Sequence, residues 1–221
     1  LYGASQDACG GSSTNTIYAA AILGSKCSFI GKVADDKNGR FYVENLNKAN
    51  IKNKCMSSDK GVSGNCLVMV SPDAERTMST FLGISSELKV SDLDEEMIKE
   101  AEIVYLEAYL VTSDDNSDAT KRILEIAKKN RTKIAISLSD SFIVKGFKKR
   151  LLEWLEIKID YLFCNEEEAK AFSTLIQKVT FQLMLVPNAP KKKEGSFTRL
   201  RAQRQSWCCA LTTYFYRFIE K

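Results

Sequence analysis

The sequence predicts an α/β domain with a mostly parallel sheet and helices on both faces. Up to about Ser173, short apolar strands alternate with amphipathic helices of 10 to 18 residues, which is the pattern of such a sheet. Most of these helices carry recognisable start or stop residues. A chain of 221 residues, 44% hydrophobic and 27% charged, can bury one substantial core.

The predicted strands are short and rich in β-branched, aromatic or aliphatic residues. The parallel strands are expected at 27–33, 102–110, 132–139 and 161–164. Two further segments, "GNCLVMV" and "RTMSTFL", flank "SPDAE". Because Pro and Asp favour a turn, these two segments predict a β-hairpin.

The predicted helices are identified by their ends. The helix 14–23 is expected to end at Gly24 and the helix 37–50 at Asn50. Gly and Asn readily adopt the left-handed backbone conformation that ends many helices. Ser91 is expected to cap the helix in "SDLDEEMIKEA". The helix 113–130 has acids first and bases last, as the helix dipole favours.

The cysteine and histidine content argues against several classes of site. The seven cysteines are scattered without a C-x-x-C pair, and the chain contains no His. This pattern argues against a disulfide framework or a structural zinc site and predicts a reducing, cytoplasmic setting. The absence of His also excludes catalytic Ser-His and Cys-His nucleophile systems. No signal peptide or apolar run of membrane-spanning length is visible.

Charge divides the chain into two parts. Residues 1–173 carry a net charge of −3, whereas 174–221 carry +7 and lose the strand–helix pattern. We interpret 1–173 as the folded core and 174–221 as an atypical basic tail. Such a tail could bind nucleic acid, but it has no recognised stacking motif, so we do not expect that partner.

The stretch "CGGSSTN", residues 9–15, is the first candidate site. Gly10 and Gly11 allow close approach of the backbone to a ligand, and the following helix begins with unpaired N–H groups. Asn15 can donate to and accept from a pair of sugar hydroxyls. The alternative is a plain Gly-Gly turn with no ligand.

The stretch "CNEEEAKAF", residues 164–172, is the second. Asn165 and Glu168 follow a strand, where ligands of parallel sheets bind, and their oxygens suit hydrated magnesium. The alternative is that Asn165 only caps the helix. Asp35 and Asp36 also follow a strand, and we expect them to be caps.

Taken together, four segments resemble a known family. They are "GGSSTNTIYAAAILGSKCSFIGKVADDKNGRFYVENLNKANI", "GNCLVMVSPDAERTMSTFLG", "ISLSDSF" and "IDYLFCNEEEAKAF". In this order and spacing they resemble the ribokinase-like PfkB carbohydrate kinases, and within them the adenosine kinase branch, over about residues 9–173. Ala34 and Ile17 depart from the family signature.

The resemblance implies a three-layer α/β sandwich with a small β lid, here incomplete. It implies transfer of the ATP γ-phosphoryl group to a hydroxymethyl group of a nucleoside or sugar. Gly10, Gly11 and Asn15 would bind this small-molecule substrate, with the two glycines at the lid hinge. Asn165 and Glu168 would act through magnesium and phosphate, with Glu168 toward the metal. Some members dimerise through the lid, so a homodimer stays open.

The resemblance also implies motifs that this sequence does not show. The family's first strand should precede residue 1, and a glycine-rich segment with a catalytic Asp should follow Glu168. Residues 174–221 contain one Gly and no Asp, so no catalytic base is assigned. We therefore expect impaired activity. The alternative is an inactive fragment with weak ligand binding, and an out-of-frame reading of 174–221 would explain its composition.

Overall fold

A computed structural model describes residues 5–157, 159–173, 182–185, 206–210 and 214–220. The described strands are β1 (Ser5–Gly10), β2 (Lys26–Ala34), β3 (Lys52–Ser58), β4 (Asn65–Val70), β5 (Arg76–Phe81), β6 (Ile103–Glu107), β7 (Lys133–Ser137), β8 (Tyr161–Cys164), β9 (Gln182–Leu185), β10 (Ser206–Ala210) and β11 (Tyr214–Glu220). The described helices are α1 (Ser12–Ile22), α2 (Lys37–Lys48), α3 (Glu95–Lys99), α4 (Asp114–Asn130), α5 (Ser141–Gly146), α6 (Lys148–Leu155) and α7 (Glu166–Ser173). Short 3₁₀ helices cover Gly83–Ser86, Val90–Asp92 and Ala108–Thr112.

The central sheet has seven strands in the order β3-β2-β10-β6-β7-β8-β9. Every neighbouring pair in it is parallel, which confirms the predicted α/β class. Since the strands are parallel, their carboxyl ends meet at one edge of the sheet. That edge is where parallel α/β sheets place their ligands.

The second sheet is small and has four strands in the order β1-β11-β4-β5. Strands β4 and β5 pair antiparallel, which confirms the hairpin predicted around "SPDAE". Strand β11 lies between β1 and β4, antiparallel to β1 and parallel to β4. Strand β1 leads through Gly11 directly into α1.

The core is built on strands that are buried on both faces. All five residues of β6 are buried, as expected for a central strand covered on each side. Large apolar side chains from the helices belong to the same core, and those that are almost fully buried include Ile17, Tyr42, Leu46, Ile123 and Trp154. None of the described helices has the length and apolar content needed to cross a bilayer.

Helix ends follow the sequence signals, with one correction. Ser113 caps α4 by accepting a hydrogen bond from the Asn116 N–H at 3.2 Å. Asn50, expected to end α2, has a positive φ of 55°. The prediction that Ser91 caps a helix is wrong, because Asp94 accepts from the Met97 N–H at 3.0 Å and α3 starts at Glu95. The carboxylate three residues closer to the helix takes the capping position.

Asp36 joins α2 to the start of the hairpin β4–β5. Its Oδ1 accepts from the Gly39 N–H at 2.7 Å, as a cap does, and its Oδ2 accepts from the Ser63 N–H at 2.8 Å. Ser63 Oγ in turn accepts from the Ala34 N–H at 2.9 Å. Partial burial acts against the charged form, but these backbone hydrogen bonds outweigh it and lower the pKa of Asp36. Asp35, in contrast, lies exposed and pairs with Arg40.

The segment predicted as a basic tail contributes three described strands. Strands β9 and β10 lie in the central sheet, and β11 lies in the small sheet. The proposed boundary at Ser173 and the out-of-frame origin of 174–221 stay predictions. The remaining residues of that segment lie outside the described part of the chain.

Gly39 should not tolerate a side chain. A Cβ on Gly39 would stand 2.1 Å from the Ala34 carbonyl oxygen and 2.8 Å from Ser63 Oγ, and the backbone atom has no room to yield. We expect Gly39→Ala to lower the free energy of unfolding by about 1–3 kcal/mol, measured by urea denaturation. Gly146→Ala is the control, because nothing lies within 4 Å of its Cβ position. Equal effects of the two substitutions would contradict this packing.

Candidate functional site

Polar groups gather at the carboxyl edge of the central sheet. Glu107 ends β6, Ser139 follows β7, and Asn165 follows β8. Two hydrogen bonds hold these strand ends together: the Ala108 N–H donates to Ser139 Oγ at 3.2 Å, and the Leu138 N–H donates to the Phe163 carbonyl at 2.9 Å. Adjacent parallel strands therefore place their terminal residues side by side.

The Gly-Gly turn lies at the start of α1. Gly10 and Gly11 are buried, and Gly11 adopts φ 106° and ψ 140°, a region that favours glycine. The Gly11 carbonyl accepts from the Asn15 N–H at 2.9 Å, while the Asn15 side chain is exposed. Gly11 gives α1 no side-chain cap, and the first turn has no acidic residue of its own. The three predicted substrate residues thus share one loop and one helical turn.

Glu107 brings a carboxyl group to this helix start, which has no acidic residue of its own. Its side chain is fully buried and faces Ser12 and Ser13 in the first turn of α1. The Tyr105 hydroxyl donates to Glu107 Oε1 at 3.1 Å. Among the described residues, Oε2 of Glu107 and Oγ of Ser13 make no hydrogen bond of ordinary geometry.

The environment of Glu107 favours its neutral form. Burial raises the pKa of this carboxyl, although Ser12, Tyr105 and Ser13 act in the opposite direction. A carboxylate at a helix amino terminus is stabilised by the dipole, but removal from water costs more here. A buried group with a perturbed pKa beside a glycine turn is a candidate for function.

Sequence reasoning missed Glu107. The strand "EIVYLEAYL" was interpreted as a plain apolar strand, and an acid within it carried no motif. The signal was present, because a single carboxylate at the carboxyl end of a buried parallel strand lies where ligands bind. The strand also ends earlier than expected, at Glu107.

Asn165 and Glu168 form a reciprocal cap on α7. Asn165 Oδ1 accepts from the Glu168 N–H at 2.8 Å, and the Glu168 carboxylate accepts from Asn165 N and Nδ2 at 3.1 and 2.7 Å. This is the capping-box arrangement. These hydrogen bonds are those expected of a helix cap. A role of Asn165 and Glu168 in ligand binding stays a prediction.

Glu168 is more than a surface cap. It is 6% exposed, and burial raises its pKa, with further increases from the charges of Asp140 and Glu167. Asp140 itself caps α5 by accepting from the Phe142 N–H at 2.7 Å. Two carboxylates from neighbouring strand ends thus face each other closely enough to interact.

The two groups of polar residues, one around Glu107 and one around Glu168, lie on the same edge of the central sheet. Glu107 and the Gly-Gly turn are at the end of β6, and Asp140, Asn165 and Glu168 are at the ends of β7 and β8. The Ala108–Ser139 hydrogen bond connects the two positions. A ligand with a polar group at each end would lie along this edge.

Two half-buried thiols, Cys9 and Cys55, lie close to the Gly-Gly turn. Burial raises the pKa of Cys9, the residue before Gly10, to about 12, although a hydrogen bond with Tyr18 acts to lower it. Burial and the proximity of Cys9 raise the pKa of Cys55 to about 12. Neither thiol ionises near neutral pH.

Comparison with protein families identifies one match. A model described as pfkB family carbohydrate kinase covers residues 5–180. Among curated proteins, 5-dehydro-2-deoxygluconokinase of Clostridium botulinum (strain Alaska E43) is 31% identical over 127 residues, 56% of this chain and 38% of that protein. Guanosine-inosine kinase of Escherichia coli K12 is 26% identical over 116 residues, 51% of this chain and 27% of that protein.

Solved structures agree on the fold. Adenosine kinase from Sinorhizobium meliloti superposes with a TM-score of 0.73 at 30% identity, covering 78% of this chain and 53% of that one. A probable sugar kinase from Rhizobium etli gives 0.71 at 28% identity, with coverages of 75% and 51%. The fold is therefore ribokinase-like, and the chain spans only part of these relatives.

The buried carboxyl of Glu107 should make stability depend on pH. A folded-state pKa above the unfolded one means that the folded protein binds more protons, so its free energy of unfolding falls as pH rises toward the folded pKa. Glu107→Gln removes this cost. As pH rises, we expect the free energy of unfolding of the variant to increase relative to that of the wild type. The increase should be about 1.4 kcal/mol for each unit by which the pKa of Glu107 is raised.

Urea denaturation at pH 4.5 and pH 8 measures this difference. Glu102→Gln, at an exposed position just before the same strand, is the control and should show no comparable trend. A difference between Glu107→Gln and wild type that stays constant with pH would contradict the assignment.

Proposed function

Because the chain belongs to the pfkB family of carbohydrate kinases, we propose that it binds a nucleoside or sugar and takes part in ATP-dependent phosphoryl transfer to a hydroxymethyl group of that substrate. The observation that carries the proposal is the common sheet edge. It places the Gly-Gly turn beside Glu107 and the Asn165–Glu168 pair two strands away.

The first turn of α1 forms the substrate end. Backbone N–H groups after Gly11 and the exposed Asn15 carboxamide can bond to neighbouring hydroxyls. Gly10 and Gly11 have no side chains to keep a sugar away. Glu107 acts here as a positioning residue, since it holds the helix start in place from the neighbouring strand.

The Asn165–Glu168 pair forms the phosphate end. Both Glu168 oxygens already accept hydrogen bonds from Asn165, so a cation would contact them through retained water, as magnesium commonly does. Asp140 adds a second negative charge. Within the described residues no group of three or more His, Cys, Asp or Glu is arranged to hold a metal. Magnesium would neutralise phosphate charge there.

Phosphoryl transfer in this chain is expected to be slow. The chain spans 38% of the first curated relative, and residues 174–221 supply no Asp to act as general base. Loss of a general base costs about 10²–10⁴ in rate. A catalytically inactive fragment with weak nucleoside or sugar binding is therefore the second candidate, and coupled ATP turnover with adenosine, ribose and fructose separates the two.

The setting of the reaction is part of the proposal. A reducing cytoplasm is supported by seven scattered cysteines and by five described cysteines that are free thiols. The partner is a small molecule, and a homodimer stays a prediction.

Asn15→Ala should weaken substrate binding. Loss of hydrogen bonds to a sugar hydroxyl pair is worth about 1–3 kcal/mol, so we expect the Kd for adenosine or ribose to rise about 5- to 150-fold in calorimetric titration. Thr16→Ala is the matched control, because its hydroxyl bonds only to the Ser12 carbonyl on the exposed side of the same helix. The assignment fails if both variants bind like wild type.

Glu168→Gln should weaken the magnesium dependence of ATP binding. The neutral side chain keeps an oxygen for the Asn165 N–H but loses the charge that attracts a hydrated cation. We expect at least a fivefold higher Mg²⁺ requirement in an ATP-binding titration. Glu166→Gln removes one charge from the same helical turn, where Glu166 is exposed and pairs with Lys170 at 2.6 Å, and should leave the requirement unchanged. Equal shifts in both variants would show only a general charge effect.

A further inference from the structure

The last two described strands of the chain occupy interior places in both sheets. Strand β10 lies in the middle of the central sheet, between β2 and β6 and parallel to both. Strand β11 lies between β1 and β4. Only residues 211–213 separate them in sequence, so this strand pair links the two sheets.

The strand pair borders the Gly-Gly turn on both sides. Ala210, at the carboxyl end of β10, pairs with Leu106, the residue before Glu107. Tyr214, at the start of β11, pairs with Gly10. Backbone pairing thus fixes Gly10 in the small sheet and the neighbourhood of Glu107 in the central sheet through one short piece of chain.

The ends of the chain meet across the same ladder. Ser5 pairs with Ile219 in an antiparallel register. Six residues, 220 and 221 followed by 1 to 4, would connect them if the chain were closed. A connection of this length is close to that of ordinary hairpin loops. In such a closed chain, β10, β11, β1 and α1 would follow one another in sequence through short connections.

We propose that β10 and β11 are the positioning element of the candidate site: they hold the Gly10–Gly11 turn against the carboxyl end of β6. Their function depends on their pairing with β1, β2, β4 and β6. The inference rests on the proposed function for its effect on substrate, while its structural part stands independently.

Removal of β10 would destabilise the central sheet between β2 and β6. Without it, β2 and β6 would each lose a complete parallel ladder in the centre of the sheet and expose unpaired backbone groups. The separation between the Gly-Gly turn and Glu107 would then no longer be fixed by a strand pair with one member in each sheet. A loosely attached tail, in contrast, could be altered without any effect on β2 or β6.

Proline substitution in the intact chain tests the pairing. Cys208 pairs with Ser28 on one side and Val104 on the other, and Cys208→Pro removes a ladder hydrogen bond from a central strand. We expect amide hydrogen exchange in β2 and β6 to accelerate at least about 100-fold. Cys208→Val, which keeps the backbone N–H, should leave this exchange unchanged. Unaltered protection of β2 and β6 in Cys208→Pro would overturn the proposal.

A rearranged chain keeps the proposal falsifiable if Cys208→Pro does not fold. Residues 206–221 are placed directly before Leu1, and the chain then ends at residue 205. We expect the exchange protection of β2 and β6 and the adenosine or ribose affinity to match the wild type within about twofold. Loss of protection in this chain would overturn the inference. Retained protection with no substrate binding in either chain would instead overturn the proposed function alone.

Discussion

The contact between the Glu107 carboxyl and the first turn of α1 is the constraint on which the candidate site depends. The helix brings no cap and no acid of its own, and the Glu107 carboxyl on the neighbouring strand is the acidic group that faces its first turn. Burial raises the pKa of Glu107, and the residue therefore holds the turn at some cost to stability. Such a cost is typical of groups arranged for binding rather than for folding.

Much of the architecture follows from local sequence signals. The alternation of apolar strands and capped helices predicts a parallel sheet, and Pro and Asp in "SPDAE" predict the hairpin. Asn165 could be assigned as a cap from its place before three glutamates, and its hydrogen bond from the Glu168 N–H confirms that assignment. These features depend on residues that are close in sequence.

The features that the sequence did not predict depend on distant pairings. Strand β3 is mostly polar, with Cys55 and Met56 as its apolar residues, and is defined by its ladder with β2. Strands β10 and β11 pair with elements more than one hundred residues earlier in the chain, which no local period can indicate. Glu107 acquires its significance only when α1 is folded against β6. Likewise, Asp94 displaces Ser91 as a cap because Ser91 itself lies inside the 3₁₀ turn Val90–Asp92.

The half-buried thiols beside the Gly-Gly turn have a practical chemical consequence. Because burial raises the pKa of Cys9, this residue carries much less thiolate at neutral pH than an exposed cysteine would. Peroxide and alkylating reagents attack the thiolate form. The loop that we assign to the sugar should therefore survive oxidants and maleimide dyes unmodified, and modification of Cys9 would report that the fold around it had opened.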